Sequence, residues 1–142
     1  VDKNNHLLIK LIEDLKIRKN IHLLGKRMDI DEITAGLDIA CSSSSWGESF
    51  SNAIGEAMAC GIPCIVTDVG DSAWIVGETG IVVKPGDRKA FTDAMITLIK
   101  MGAEERLELG KLARNRIIKH FSINIVVKQY EDLYRDILNT KY

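Results

Sequence analysis

The chain has 142 residues, of which 46% are hydrophobic and 27% charged, and its formal net charge is −1. This length accommodates one domain with its own core and is short for two. The near-neutral charge excludes bulk attraction to nucleic acid or to an anionic membrane surface. No apolar run approaches the roughly 20 residues needed to cross a bilayer.

Three cysteines, Cys41, Cys60 and Cys64, bear on the cellular compartment. Their number is odd, they lie among apolar residues, and no two of them form a C-x-x-C pair. We therefore expect buried free thiols in a reducing cytoplasm. The first ten residues mix charged and apolar side chains and do not resemble a signal peptide.

Apolar spacing alternates along the chain between helix-like and strand-like, which is typical of α/β proteins. In chain order, it predicts a helix at 6–15, a strand at 21–24, a short helix at 29–35 capped by Asp29, and a strand at 37–41. It continues with a helix at 50–60, strands at 62–67 and 81–83, and helices at 87–100, 103–120 and 122–138. The short loops predict a Rossmann-like parallel sheet with helices on both faces, which binds ligands at the carboxyl ends of its strands.

The most informative segment joins the strand at 37–41 to the helix at 50–60. Four serines at 42–45 are followed by Gly47, and Ser49 or Ser51 can cap the helix. A helix start carries unpaired backbone N–H groups and a partial positive charge, which together attract anions. Small residues there let a ligand approach the backbone closely. The segment therefore predicts a phosphate-binding site.

Two carboxylates bracket this predicted site. Glu48 precedes the helix, and Glu56 follows eight positions later, beside Asn52 on the same helical face. Carboxylates repel phosphate but accept hydrogen bonds from hydroxyl groups. A diphosphate that carries a ribose on one side and a sugar on the other would suit this arrangement. On spacing alone, an ordinary surface role for both glutamates stays open.

The residues around both glutamates carry a family resemblance. The run E-S-F begins at Glu48, and the run E-A-M-A-C-G-I-P-C-I-V begins at Glu56. Together they resemble the two-glutamate motif in the C-terminal domain of retaining GT-B glycosyltransferases of family four, the glycosyl transferases group 1. The resemblance extends over residues 20–38 and 67–87 and so covers nearly the whole chain. It implies the C-terminal, donor-binding domain of a hexosyltransferase-type enzyme.

The resemblance also implies roles for particular residues. Glu56 would accept hydrogen bonds from the ribose hydroxyls, and Glu48, as the catalytic residue, would lie against the donor sugar. Backbone amides at 50–52 would hold the sugar and the diphosphate, and the loop 25–28 would border the nucleobase. The implied substrate-binding residues are Glu56, Ser49, Phe50, Ser51, Asn52, Gly25, Lys26, Arg27 and Met28.

Enzymes of this kind typically need no metal or cofactor, because the helix dipole and basic side chains neutralise the leaving diphosphate. The implied partners are a nucleoside-diphosphate sugar as donor and a glycan or lipid-linked acceptor, in polysaccharide biosynthesis. The acceptor would bind an N-terminal domain that lies outside the 142 residues, so we expect no transfer by this chain alone. The full protein could associate peripherally with the inner face of the membrane.

The sequence departs from the family pattern in two places. Many relatives carry G-x-x-E after the equivalent of residues 69–70, whereas this chain continues D-S-A-W and so puts Trp74 on a predicted short turn. The chain also begins after the strand whose loop carries the family's phosphate-binding Arg and Lys, so the domain is expected to be incomplete at its start. In the usual strand order, the missing strands would separate the strand at 21–24 from the strand at 37–41.

Other functions stay open on the sequence alone. They are a non-catalytic nucleotide-binding module, a nucleotide-sugar epimerase of the same fold, and an α/β interaction domain in which the two glutamates are inert. Ribose-dependent binding would separate the first two from the last. Trp46 either shields the sugar site or packs within the fold, and Trp74 either belongs to the site or makes a core or lid contact.

Overall fold

The chain divides into two compact units, Val1–Ile30 and Asp31–Tyr142, and the computed structural model describes residues 5–140 of it. In the first unit, helix α1 spans His6–Asp14 and a 3₁₀ turn spans Arg18–Asn20. The side chain of Asn5 accepts a hydrogen bond from the N–H of Leu8 at 3.0 Å and so caps α1.

The strand predicted at 21–24 is not formed. These four residues do alternate between half-buried and exposed, as a strand would. A strand is stabilised by hydrogen bonds to a neighbouring strand, however, and no strand in the described part of the chain pairs with them. The prediction is wrong because local periodicity does not report whether a partner strand is present.

The second unit contains a three-stranded parallel sheet in the order β1-β2-β3, with β1 at Ala40–Ser42, β2 at Cys64–Thr67 and β3 at Ile81–Val83. Its helices are α2 Ile30–Ala35, α3 Asn52–Ala59, α4 Ser72–Val76, α5 Arg88–Lys100, α6 Gly102–Phe121 and α7 Ile123–Thr140, with a 3₁₀ turn at Gly77–Thr79. Because all three strands are parallel, their carboxyl ends meet at one edge of the sheet.

Successive residues of the central strand β2 face two separate cores. Cys64 and Val66 pack into a cluster with residues of α3, α4 and α6, including Met58. Ile65 packs on the opposite face with Leu98 of α5. Side chains alternate across a strand, so a strand buried on both faces is apolar throughout. The predicted α/β fold, a parallel sheet with helices on both faces, is confirmed.

Two predicted strands begin later than expected because their first residues complete the preceding helices. The N–H of Leu37 donates to the carbonyl oxygen of Thr34 at 3.1 Å and so closes α2. The N–H of Ile62 donates to the carbonyl oxygen of Ala57 at 3.0 Å, which closes α3 in the same way. These residues read as strand in the sequence because they are apolar, although their backbone hydrogen bonds belong to helix ends.

Helix α4 was not predicted from the sequence. Trp74 therefore lies on a helix and not on the predicted turn. Five residues hold too few apolar positions to show a helical period. None of the helices in residues 5–140 is long and apolar enough to span a bilayer.

The three cysteines are free, but their burial differs from the prediction. Cys64 is fully buried in β2, and burial raises the pKa of its thiol to about 12. Cys60 is half-buried, whereas Cys41 is exposed, because it lies on β1 at the edge of the sheet. The prediction of buried thiols is thus wrong for Cys41.

Candidate functional site

The carboxylate of Glu48 accepts a hydrogen bond from the segment that follows β1. The hydroxyl of Ser44 donates to Oε2 of Glu48 at 3.1 Å. Thr67, buried at the end of β2, donates its hydroxyl to the carbonyl oxygen of Ser44 at 2.6 Å. Two hydrogen bonds therefore connect the end of the central strand to a half-buried glutamate at the carboxyl edge of the sheet.

The loop that follows β2 lies directly against the backbone of Glu48 and Ser49. The N–H of Asp71 donates to the carbonyl oxygen of Ser49 at 2.8 Å. Gly70 has a φ of +56°, and a Cβ at this position would lie 2.6 Å from the same oxygen. Only glycine fits such an approach, so this loop fixes the backbone that carries Glu48.

The start of α3 keeps some of its backbone donors free. Ser51 is the buried N-cap residue, but its side chain makes no capping hydrogen bond. The N–H of Asn52 donates to the carbonyl oxygen of Phe50 at 3.0 Å. The N–H groups of Phe50 and Ser51 have no backbone acceptor in the described part of the chain. Of the three amides predicted to bind a diphosphate, two therefore lack a backbone acceptor among the described residues and one is engaged.

Glu56 lies on the exposed side of α3, in the wall of a cavity of about 220 Å³. Asn52, one turn earlier on the helix, lines the same cavity, as the spacing predicts. Phe50 also lines it, and Ile117 and Phe121 of α6 contribute to its wall. Within residues 5–140 the carboxylate of Glu56 forms no hydrogen bond and no ion pair, so it is free to accept a hydrogen bond from a ligand.

Phe121 also belongs to an aromatic cluster beside the site. Its ring lies 5.9 Å from that of Phe50 and 4.8 Å, edge-on, from that of Trp74, centroid to centroid. Arg116 donates to the carbonyl oxygens of Trp74 and Ile75 and so fixes the end of α4. Trp74 packs on this cluster with 61% of its surface exposed, so it makes a surface contact and not a core one.

The two α6 residues in this wall were not expected from the sequence. They belong to a helix about sixty positions downstream of α3, and only tertiary packing brings the two elements together. Trp46 is 85% exposed, so the packing interpretation of that residue is wrong. Its shielding of a bound sugar stays a prediction.

Residues 25–28, the loop predicted to border the nucleobase, belong to the first unit. Arg27 binds both carboxylate oxygens of Asp29, with an Nε–Oδ1 distance of 2.8 Å. This contact lowers the pKa of Asp29 from its ordinary value. Gly25 is half-buried, Lys26 is exposed, and Met28 is 92% exposed.

Comparison with known sequences gives matches along most of the chain. N-acetyl-alpha-D-glucosaminyl L-malate synthase of Bacillus anthracis is 35% identical over 92% of this chain and 34% of its own length. The UDP-Gal:alpha-D-GlcNAc-diphosphoundecaprenol alpha-1,3-galactosyltransferase of Escherichia coli is 31% identical over 96% of this chain and 35% of its own length. The chain thus spans about a third of the length of these relatives.

Solved structures share the fold. A glycosyltransferase from Rickettsia africae ESF-5 superposes with a TM-score of 0.85 at 25% identity, over 96% of this chain and 38% of that one. HepE of Anabaena, solved in complex with UDP, superposes with a TM-score of 0.85 at 23% identity, over 92% of this chain and 36% of that one. The family described as Glycosyl transferases group 1 matches residues 2–101, well over half of the sequence. The chain therefore belongs to the group 1 glycosyl transferase family.

Proposed function

We propose that this chain is the C-terminal, donor-binding domain of a glycosyltransferase. It binds a nucleoside-diphosphate sugar and, with an N-terminal domain, transfers the sugar with retention to a glycan or lipid-linked acceptor in polysaccharide biosynthesis. Membership of the family supports this proposal. So does the name of the Escherichia coli relative, which specifies a UDP-sugar donor and a lipid diphosphate acceptor.

The observation that carries the proposal is the distribution of free polar groups around the start of α3. The N–H groups of Phe50 and Ser51 lack backbone acceptors among the described residues, and the carboxylate of Glu56 on the same helix lacks a partner there. Glu48 keeps one carboxylate oxygen clear of the bond from Ser44. Amide donors suit the phosphates of such a donor, and carboxylates suit its ribose and sugar hydroxyls.

In this arrangement Glu48 is the catalytic residue and Glu56 selects the ribose. As the bond to the leaving diphosphate breaks, positive charge develops at the anomeric carbon, and a carboxylate fixed close by stabilises it. The free amides at the start of α3 stabilise the negative charge that moves onto the diphosphate. Ser44 and the Gly70 loop hold Glu48 in place before the substrate arrives, so little reorganisation is needed during the reaction.

Calorimetric titration of the chain with UDP, GDP and ADP tests the donor site. We expect one nucleotide to bind, and Glu56→Gln to weaken it by about 1.5–3 kcal/mol through the loss of a charge-assisted hydrogen bond. Glu105→Gln, at an exposed position in the first turn of α6, is the control and should leave the affinity unchanged.

Two results would contradict the proposal. One is equal affinity of the wild-type chain and Glu56→Gln for the bound nucleotide. The other is failure of the folded chain to bind any of the three nucleotides even when it is joined to an N-terminal domain of the family. Sugar transfer catalysed by the 142 residues alone would contradict the assigned need for that N-terminal domain.

A further inference from the structure

A second cavity, of about 440 Å³, opens at the carboxyl edge of the sheet. The serine tract after β1, the end of β2 at Thr67 and the turn between β3 and α5 all line it. It contains neither Glu48 nor Glu56. Its volume falls within the roughly 300–1,000 Å³ that is typical of small-molecule sites.

The serine tract is shared between this cavity and the site of Glu48. Ser42 and Ser44 have their hydroxyls 3.5 Å apart, and Ser44 donates to Glu48. Ser43 and Ser45 instead line the cavity. In the described chain, neither of these two hydroxyls has a hydrogen-bond partner, so both can donate to a ligand.

Two cations complete the cavity. Lys84 follows β3, Arg88 begins α5, and both side chains are exposed. Neither side chain forms an ion pair or a hydrogen bond with the described residues 5–140. The one carboxylate in the lining, Asp87, accepts the N–H of Ala90 at 2.8 Å and caps α5.

The other polar groups of the lining are engaged. The hydroxyl of Thr92 donates to the carbonyl oxygen of Arg88 at 2.9 Å, and that of Thr67 donates to Ser44. Four free donors therefore remain, two of them charged, and the only carboxylate already has a partner. The two cations outnumber the single carboxylate of the lining, whose Oδ1 is engaged at the helix start, so this set of donors matches the oxygens of a phosphate.

We propose that this cavity is a second anion site, which binds the phosphate or diphosphate of a molecule other than the nucleotide-sugar donor. Lys84 and Arg88 bind the phosphate oxygens, with Ser43 and Ser45 as additional donors. Phe91, which also lines the cavity, provides an apolar surface for the part of the ligand beyond the phosphate. This inference does not depend on the donor site at Glu56.

Titration calorimetry with inorganic pyrophosphate tests the second site. We expect saturable binding that persists in the presence of saturating UDP, and a loss of roughly 10- to 100-fold in the affinity of that site in Lys84→Ala and in Arg88→Ala, because each removes a charge-assisted contact. Lys89→Ala removes the same charge in the same turn of α5. Lys89 is paired with Asp93 at 2.7 Å and does not line the cavity, so this variant should bind as the wild type does.

Two further titrations identify the source of the phosphate. Glucose 1-phosphate represents soluble phosphate esters, and phosphatidylcholine vesicles containing phosphatidic acid represent lipid phosphates. Binding of either that depends on Lys84 supports the site and identifies the source of its ligand. Thermal melts of all variants show whether each is folded, which is expected because the substituted side chains are exposed.

Three outcomes would overturn the inference: no saturable pyrophosphate binding, equal weakening by Lys84→Ala and Lys89→Ala, or complete exclusion of pyrophosphate by saturating UDP. The last would mean that a single anion site exists. If the chain binds no nucleotide even when it is joined to an N-terminal domain of the family, but binds pyrophosphate in a manner that depends on Lys84, the donor proposal fails and the second site stands.

Discussion

The position of Glu48 depends on a glycine that is distant from it in sequence. Gly70 brings the loop after β2 against the carbonyl groups of Glu48 and Ser49, at a φ of +56°. Any side chain at position 70 would push against backbone atoms, which cannot move away as a flexible side chain could. The geometry of the Glu48 carboxylate is thus set partly by the absence of a side chain at position 70.

We expect Gly70→Ala to destabilise the chain by more than the conformational strain alone. A non-glycine residue in the left-handed region costs roughly 1–2 kcal/mol, and the contact with the Ser49 oxygen adds to this. Gly47→Ala is a matched control, because Gly47 has a φ of +76° and nothing within 4 Å of the added Cβ. Urea unfolding of both variants measures the difference, and equal losses would show that the loop tolerates a side chain.

The two glutamates of the candidate site were identified from their spacing and neighbours, which form one contiguous motif, and their roles stay predictions. The same reasoning predicted that Asn52 and Glu56 share a helical face, and both line one cavity. The contributions of Ile117 and Phe121 were not predictable, since no local pattern on α6 shows which face of it meets α3. Contributions that depend on tertiary packing could therefore not be predicted from the single sequence.

At the scale of elements, α6 crosses the end of α3 at two glycines. Gly110 is buried in α6, and a Cβ there would lie 2.8 Å from the carbonyl carbon of Gly61 and closer still to its oxygen. Gly61 lies two residues beyond the end of α3, after the C-cap residue Cys60. Since the opposing atoms are backbone, the two elements could not keep this distance with a larger residue at position 110.

Gly110→Ala sets helix propensity against packing. Replacing a helical glycine by alanine gains about 1 kcal/mol, but the contact with Gly61 has to be relieved by moving the helix, and overpacking costs about 1–3 kcal/mol. We expect net destabilisation in thermal or urea unfolding. Asn115→Ala, at an exposed position of the same helix, should be neutral or slightly stabilising. A gain in stability with Gly110→Ala would mean that α6 shifts without cost.

The type of most elements was predicted correctly, whereas their ends were not. The reason is that side-chain patterns do not report backbone hydrogen bonds directly. Apolar residues at 37 and 62 satisfy a strand pattern, yet their N–H groups complete helices. Helix ends are decided by backbone hydrogen bonds, which side-chain hydropathy reports only indirectly. The unformed strand at 21–24 has the same origin, because its formation depends on a partner strand and not on its own residues.

At the scale of the whole molecule, the sheet of the second unit separates two hydrophobic clusters. Met58 lies in the cluster on one face, and Leu98 lies in the cluster on the other, and both side chains are fully buried. The central strand contributes alternate residues to each. The two clusters therefore share a strand but not side chains.

We expect Met58→Ala and Leu98→Ala each to cost about 2–5 kcal/mol, and their costs to add to within about 0.5 kcal/mol in the double variant. Urea unfolding of the single and double variants measures this. Ile99→Ala, which replaces the 60%-exposed neighbour of Leu98 on α5, is the control and should cost far less. A large departure from additivity would show that strain in one cluster passes through β2 to the other.

The serine tract contributes adjacent residues to two different sites, so the length of this segment affects both sites at once. Inserting or deleting a single residue between β1 and Glu48 would displace Ser44 relative to Glu48 and also Ser43 and Ser45 relative to Lys84. Changes in the length of this segment therefore cannot adjust one site alone, and evolution or protein engineering can tune them separately only through the side chains. If both sites were occupied, only this short stretch of backbone would separate the two ligands.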